Sequence, residues 1–213
     1  MNQRRRTILL AVVCLLWFAA AVTGSVAMWR YANRPGQKGI PSPSWPADSQ
    51  ISLSGTRAIL VMFAHPKCPC SRASVGELAK LMADCRGQVT AHVWFFQPMG
   101  ASEDWSLTDL WRSAETIPGV SVHRDAGAVE ARRFHAATSG QTLLYDRQGK
   151  LLFEGGITAA RGHAGDNPGR DAVAALLKHR VTLRLSTPVF GCSLLDPGTP
   201  CLEDSAGSFP AGK

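Results

Sequence analysis

Two cysteines separated by one proline, Cys68-Pro69-Cys70, are the residues of this 213-residue chain whose types and spacing most directly suggest chemistry. They follow an apolar run, 57–64, that is short enough for a buried strand, and they precede a stretch, 71–85, with helical spacing. Thiols in the first turn of a helix face unpaired backbone N–H groups and the positive end of the helix dipole, which favour the thiolate. A thiolate attacks disulfides, and a nearby second thiol can displace the product. The motif predicts thiol-disulfide exchange; the alternative is an inert bridge or two buried cysteines.

The residues around the two cysteines are expected to tune their acidity. Lys67 and Arg72 add positive charge, and His65 adds it when protonated. His163 lies in a loop expected near the thiols, where it tunes their pKa or shuttles protons, unless it is simply an exposed loop histidine. The two prolines at this junction, Pro66 and Pro69, complete the candidate site.

The other cysteines leave several pairings open. Cys14 lies in an apolar segment and is set aside as a small helix residue. Cys192 and Cys201 bracket a turn-rich stretch and either form a structural bridge or act as a second redox pair, in which Cys192 reaches back to resolve Cys68. Cys85 is either a buried small residue or the partner of Cys192. The apolar N-terminal segment, 8–29, predicts export of the domain to an oxidising compartment, and disulfides are therefore allowed.

The pattern of apolar residues predicts the order β-α-β-α-β-α-β-β-α. Crossover connections come early and a hairpin comes late, around the turn 146–150. This order predicts an α/β fold with a mixed central sheet flanked by helices. The predicted strands are 57–64, 89–97, 120–123, 141–145 and 151–153, and the predicted helices are 71–85, 106–116, 127–137 and 171–180.

A strand, a loop containing the two cysteines and then a helix, with a β-hairpin and a terminal helix downstream, resembles the thioredoxin-like superfamily. Membrane-anchored bacterial thiol-disulfide proteins of cytochrome maturation are similar in layout. The runs HPKCPCSRAS, TSGQTLLYD, GGITAARGHAGDN and VFGC resemble the RedB-type subgroup. The resemblance covers 51–185. It implies that Cys68 attacks, that Cys70 resolves, and that Gly155, Gly156 and Ile157 form the loop beside the substrate disulfide.

The chain departs from the superfamily pattern in two ways. One residue separates the cysteines instead of two, and a bridge that short strains the backbone, which favours oxidant or isomerase activity. The usual cis-proline before the hairpin strand is replaced by Ser139, Gly140 and Gln141. Since that proline keeps metal off the thiols, the alternative function is a Cu(I) metallochaperone that uses Cys68, Cys70 and a histidine.

The histidine of such a copper site is His65, three residues before Cys68, because His135 stands too early to match the superfamily's copper carriers. Peroxidase chemistry is disfavoured, since His65 replaces the threonine usual at that position. A binding module without redox activity is the remaining class. We expect no resident cofactor unless the copper alternative holds.

The N-terminal region predicts a membrane attachment. Residues 1–7 form a basic head, and 8–29 are uncharged for 22 residues, enough for a helix that spans the ~30 Å hydrocarbon core. This segment is a transmembrane anchor or an uncleaved signal; cleavage after Ala27 is the alternative. A Pro/Gly-rich linker, 30–50, leads to the domain, and 186–213 is predicted to be a flexible tail. The arginines of the head would stay in the cytoplasm, so the domain faces the periplasm of a bacterium from a single pass through the inner membrane.

The charge distribution argues against nucleic-acid binding. The formal net charge is +7, but the first 50 residues hold six basic residues and one acidic residue, and the remainder is almost balanced. The expected partners are therefore exported proteins with cysteines or disulfides, together with the membrane itself. The sequence leaves the direction of electron flow, the partner and the oligomeric state open.

Overall fold

The computed structural model describes residues 3–53 and 55–194. The chain divides into two compact units, one ending at Arg34 and one beginning at Pro35. The first unit is a single helix, α1, Gln3–Ala32, whose apolar side chains are exposed throughout. Its 30 residues and its composition make it long and apolar enough to cross a membrane.

Among its described residues, the second unit contains five strands and four α-helices, and their order confirms the prediction. Strand β2 and strand β4 have the predicted bounds, whereas the two short middle helices are shorter than predicted. A short 3-10 turn, Glu103–Ser106, precedes α3. In chain order the elements are β1 Ala58–Ala64, α2 Pro69–Asp84, β2 Val89–Gln97, α3 Asp109–Glu115, β3 Val120–Ala126, α4 Val129–Arg133, β4 Gln141–Tyr145, β5 Leu151–Gly156 and α5 Pro168–Leu177.

The strands form one mixed sheet in the order β3-β2-β1-β4-β5. Strand β1 pairs in parallel with β2, and β2 in parallel with β3, through crossovers that contain α2 and α3. On its other side β1 pairs antiparallel with β4, which forms a hairpin with β5. The predicted mixed sheet flanked by helices is confirmed. Strand β1 is central, so the loop that follows it leaves the middle of the sheet.

Alternating side chains of β1 build two apolar layers on opposite faces of the sheet. Leu60 and Met62 belong to the larger layer, which packs under α2, α3 and α5, while Ile59, Val61 and Phe63 face a smaller layer with Phe134. All five β1 residues are at most 1% exposed. Burial on both faces explains why β1 is a continuous apolar run rather than an alternating one. It also fixes the end of β1, where the cysteine loop begins.

The segment predicted as a linker, 30–50, packs against the domain over much of its length. Trp45 lies edge-on against Phe134 and Tyr145, with ring centroids 5.1 Å from each, and the Thr138 hydroxyl donates to the Gln37 carbonyl at 2.6 Å. One large aromatic residue in a Pro-rich stretch is sufficient to fix the chain on an apolar layer. The segment from Pro35 onward is therefore part of the folded unit.

The predicted flexible tail, 186–213, is wrong for its first nine residues. Residues 186–194 form no regular helix or strand, yet they pack on the domain, with Val189 fully buried and Leu194 only 3% exposed. The Thr187 amide donates to the Glu154 carbonyl at 3.1 Å, so the segment begins beside β5. Proline and glycine prevent a regular element here, but they do not prevent packing of the apolar side chains between them. We call residues 187–194 the C-terminal strap.

Candidate functional site

Three sulfur atoms meet where β1 gives way to α2. Cys68 is the residue that precedes the helix, Pro69 is its first residue and Cys70 its second. Proline fits this first position because its missing N–H would have no intrahelical partner and its φ is already helical. The third sulfur belongs to the C-terminal strap: the Sγ atoms of Cys68 and Cys192 lie 3.0 Å apart. The structure thus places Cys192 beside Cys68 of the predicted pair.

The Cys70 thiol is held in its protonated form. Its pKa is raised, first because its side chain hydrogen-bonds to Cys68 and second because it is buried. The side chain of Arg161 acts in the opposite direction on the same pKa. A thiol that donates toward a neighbouring sulfur stabilises negative charge on that sulfur. The arrangement therefore favours a reactive Cys68 with Cys70 as its proton-bearing neighbour.

Ser139 connects the three parts of the site. Its hydroxyl accepts a hydrogen bond from the His65 amide at 2.7 Å and lies 2.5 Å from the Ser71 hydroxyl in the first turn of α2. Its own amide donates to the Cys192 carbonyl at 2.8 Å. Ser139 occupies the position where the superfamily pattern has its proline, and every peptide bond in the described residues is trans. A serine here supplies the donor and acceptor that a proline lacks.

The C-terminal strap fills the groove that the resemblance implied for a substrate. Gly156 donates its amide to the Pro188 carbonyl at 3.2 Å, and the Thr187 hydroxyl donates to the Gly156 carbonyl at 2.7 Å. Farther along, the Leu194 amide donates to the Ala137 carbonyl at 2.9 Å. The predicted groove residues Gly140, Gln141, Gly155, Gly156 and Ile157 are accordingly buried.

The close approach of the strap depends on glycine. A Cβ added at Gly191 would lie 1.9 Å from the Ser139 carbonyl oxygen, and one at Gly155 would lie 2.3 Å from the Thr187 hydroxyl. No side chain fits at such distances, so the Phe-Gly-Cys sequence brings the Cys192 backbone against the loop before β4. The Arg161 guanidinium donates to the Gly191 carbonyl at 2.8 Å and fixes the strap from the other side.

His65 and Lys67 lie beside the thiols but belong to an aromatic cluster. The His65 ring stacks on Phe96, and the Lys67 ammonium lies 4.9 Å from the centroid of the Trp105 ring, which also contacts His65 edge-on. Burial is the main cause that lowers the pKa of His65, and the positive charge of Lys67 acts in the same direction, while the charge of Cys68 opposes them. His65 is therefore neutral at pH 7 and adds no positive charge to the thiols.

Most of the remaining predicted residues are exposed or lie outside the described range. His163 is exposed in the loop after β5, and His135 is exposed at a left-handed backbone position, φ 52°. Arg72 is exposed on α2, Pro66 is buried before it, and Cys85 is fully buried in the larger apolar layer. Cys201 lies outside the described residues. Within the described residues no group of three or more His, Cys, Asp or Glu side chains has a geometry that could hold a metal ion.

Sequence reasoning missed Arg161, Ser71 and the contacts of Ser139. All three lie in the runs that carry the resemblance, but their roles could not be recognised there, because each acts through contacts between segments far apart in the chain. The burial of Val189 and Phe190 ahead of Gly191-Cys192 had a signal in the sequence: adjacent apolar residues, here and again at Leu194-Leu195, in a tail otherwise rich in Pro, Gly and Ser. Such a pair indicates a docked segment rather than a free one.

No protein-family model matches this chain, and no curated protein matches it. Among solved structures, a hypothetical protein from Sinorhizobium meliloti is 22% identical, with a TM-score of 0.53 over 78% of this chain and 96% of that one. An uncharacterised conserved protein from Geobacillus kaustophilus is 19% identical, with the same TM-score over 79% and 95%. At these identities the similarity shows a shared fold alone.

A secreted disulfide oxidoreductase from Mycobacterium tuberculosis is more distant, at 14% identity and a TM-score of 0.43 over 60% of this chain and 84% of that one. That level of similarity carries no argument about this chain. The topology does: a parallel β-α-β unit, an antiparallel hairpin, a terminal helix, and two cysteines where the central strand meets its helix. The domain that begins at Pro35 therefore has the thioredoxin-like fold that the sequence resemblance implied.

Proposed function

We propose that this protein is a membrane-tethered thiol-disulfide exchange protein that acts on exported proteins through Cys68 and Cys70. The observation that carries the proposal is the pair itself: Cys68 stands at the head of α2, and the thiol of Cys70 hydrogen-bonds to it. The helix N-terminus and this donor both stabilise a Cys68 thiolate. Helix α1 supports the tether, with a single pass through a bacterial inner membrane and the domain in the periplasm.

The proposed reaction is a reversible exchange of two electrons. The Cys68 thiolate attacks a partner disulfide and forms a mixed disulfide, and the displaced partner sulfur takes up a proton. Cys70 then loses its proton, attacks the Cys68 sulfur and releases the second partner thiol. The result is a Cys68–Cys70 disulfide and a reduced partner. Arg161, which opposes the rise in the pKa of Cys70, favours this second deprotonation.

A redox titration beside a metal titration tests the proposal. The full chain in detergent micelles is equilibrated at a series of glutathione to glutathione disulfide ratios, and its disulfides are counted after acid quenching. We expect one reversible disulfide that Cys68→Ser abolishes and that Cys14→Ser, a matched change in α1, leaves unchanged. A wild-type chain with no Cys68-dependent disulfide at any ratio would contradict exchange. Anaerobic binding of one Cu(I) per chain that protects both thiols from alkylation would favour the copper carrier instead.

A further inference from the structure

The three clustered thiols differ in their access to solvent. Cys68 exposes only 2% of its surface and Cys70 only 8%, while Cys192 is partly exposed. A partner disulfide therefore meets Cys192 before it meets Cys68. The proposed exchange through Cys68 requires either that the C-terminal strap moves away or that Cys192 takes part in the chemistry.

The geometry points to Cys192 as a third redox residue, which shuttles electrons between the partner and the buried Cys68–Cys70 pair. The inference rests on the proposed function and adds the residue through which a partner is reached. Its Sγ atom lies 3.0 Å from that of Cys68, and a disulfide bond is about 2.05 Å long, so bonding requires a movement of about 1 Å. We expect side-chain rotation to supply that movement without a change in the fold.

Contacts on both sides hold the backbone of Cys192 beside Cys68. Ser139 donates to its carbonyl, and the carbonyl of the preceding Gly191 accepts from Arg161. An isolated antiparallel bridge pairs Thr138 with Ser193. Contacts on both sides of Cys192 restrict its sulfur to one approach toward Cys68, which raises the effective concentration of the pair. The strap thus presents its cysteine to Cys68 as a bound partner peptide would.

The proposed shuttle consists of three thiol-disulfide exchanges, which together balance in electrons and protons. Cys192 thiolate attacks the partner disulfide, forms a mixed disulfide and releases one partner thiolate, which is protonated. The Cys68 thiolate then attacks the Cys192 sulfur, forms the Cys68–Cys192 disulfide and releases the second partner thiol. Cys70 next attacks Cys68, which restores the Cys192 thiol and leaves the Cys68–Cys70 disulfide. The partner gains two electrons and two protons, the protein loses them, and oxidation of a partner runs through the same steps in reverse.

Single cysteine variants of the full chain in detergent micelles test this order, with glutathione disulfide as the probe. Reduced protein is mixed with the probe, quenched in acid at intervals and mapped as disulfide-linked peptides by mass spectrometry. We expect Cys68→Ser to accumulate glutathione on Cys192. We expect Cys70→Ser to accumulate the Cys68–Cys192 disulfide, because its resolving thiol is gone while a hydroxyl donor remains.

The rate of oxidation provides the second readout. Cys192→Ser is expected to form the Cys68–Cys70 disulfide at least tenfold more slowly than wild type, since serine preserves the cover over Cys68 but cannot carry the bond. Cys14→Ser, a matched change in α1, is expected to stay within twofold of wild type. The unfolding midpoint of each reduced variant establishes that a slow rate is not the result of misfolding.

The outcomes separate this inference from the function on which it rests. Glutathione found first on Cys68, together with a wild-type rate in Cys192→Ser, would overturn the shuttle and leave exchange through Cys68 and Cys70 standing. A stable Cys192–Cys201 disulfide in the oxidised wild type would also overturn it, because Cys192 would then be structural. Failure of every variant and of wild type to form a disulfide at Cys68 would instead refute the proposed function.

Discussion

Gly191→Ala is the substitution that tests most directly how the strap positions Cys192. The new Cβ would lie 1.9 Å from the Ser139 carbonyl oxygen, whereas ordinary van der Waals contact begins at 3.4 Å. The strap must therefore retreat by about 1.5 Å. The hydrogen bond from the Ser139 amide to the Cys192 carbonyl, now 2.8 Å, cannot survive that movement.

The expected free-energy cost of Gly191→Ala has two parts, the lost hydrogen bond and the steric clash of the new Cβ. A hydrogen bond contributes about 1 kcal/mol, and forcing an extra methyl group into a packed contact costs at least about 1 kcal/mol more. Because every 1.4 kcal/mol is a factor of ten, about 2 kcal/mol lowers the equilibrium constant for the Cys68–Cys192 disulfide roughly 30-fold. We expect this loss to appear as a shift of the glutathione ratio at which half of that disulfide is formed.

The assay uses Cys70→Ser as the background, so that Cys68–Cys192 is the disulfide that accumulates. Gly76→Ala in the same background is the matched control, because a Cβ at this helical position in α2 meets nothing within 4 Å. Alanine at Gly76 should stabilise the fold by about 0.5–1 kcal/mol through helix propensity and leave the disulfide equilibrium unchanged. If Gly191→Ala shifts that equilibrium by less than threefold, the close contact does not position Cys192 and the reasoning is wrong.

Three further predictions concern stability. Burial lowers the pKa of both His92 (to about 4) and His123. The folded state therefore binds fewer protons than the unfolded state below pH 6.5. We expect the unfolding free energy to fall from pH 6.5 toward pH 4 and to be flat above pH 6.5. Ser139→Ala removes a buried hydroxyl that accepts an amide hydrogen bond, and should lower the urea-unfolding free energy by about 1–3 kcal/mol. Trp45→Ala should lower the unfolding free energy by about 2 kcal/mol, which is less than the cost of removing a fully buried tryptophan because Trp45 is partly exposed. The control Met99→Ala, at a residue that is 78% exposed, should change the unfolding free energy by less than about 0.5 kcal/mol.

Each of these has a clear contrary result. The His92→Gln, His123→Gln double variant should flatten the pH dependence between 4 and 6.5, while His163→Gln on the exposed loop should not; equal slopes in both would place the effect elsewhere. Ser139→Thr retains a hydroxyl and should recover part of the loss, so a loss as large as that of the alanine variant would show that packing rather than the hydrogen bond matters. Full stability in Trp45→Ala would mean that the segment from Pro35 does not contribute to the fold.

The strands of the sheet could be predicted because the burial of their side chains leaves a recognisable pattern of apolar residues in the sequence. Strand β2, with alternating burial on one side, and β4, buried throughout, both had the predicted bounds. Helix α4 was predicted too long, because the chain turns into a left-handed conformation at His135 where the sequence still looks helical. The local sequence pattern therefore predicts where each element lies, but it predicts the ends of an element only where a proline or a turn follows.

The candidate site was only half predictable for a different physical reason. Cys68 and Cys70 are neighbours in sequence, so their placement at the head of a helix follows from local rules. Cys192 and Ser139 reach the site through tertiary contacts, and the close approach that joins them depends on a glycine whose role cannot be recognised without its neighbour. Spacing along a chain predicts chemistry between near neighbours; it gives no distance between segments that only the folded state brings together.

Cys192 lies 124 positions after Cys68 in the chain, and this separation has a consequence for biosynthesis. A chain made from its N-terminus carries Cys68 and Cys70 long before the residues that cover them exist. Until residue 192 emerges, both thiols stand open to any oxidant, and a Cys68–Cys70 or intermolecular bond can form without competition. The segment that closes the site is therefore synthesised after all five strands, and a chain truncated before Gly191 would retain the whole sheet but leave its reactive sulfurs unshielded.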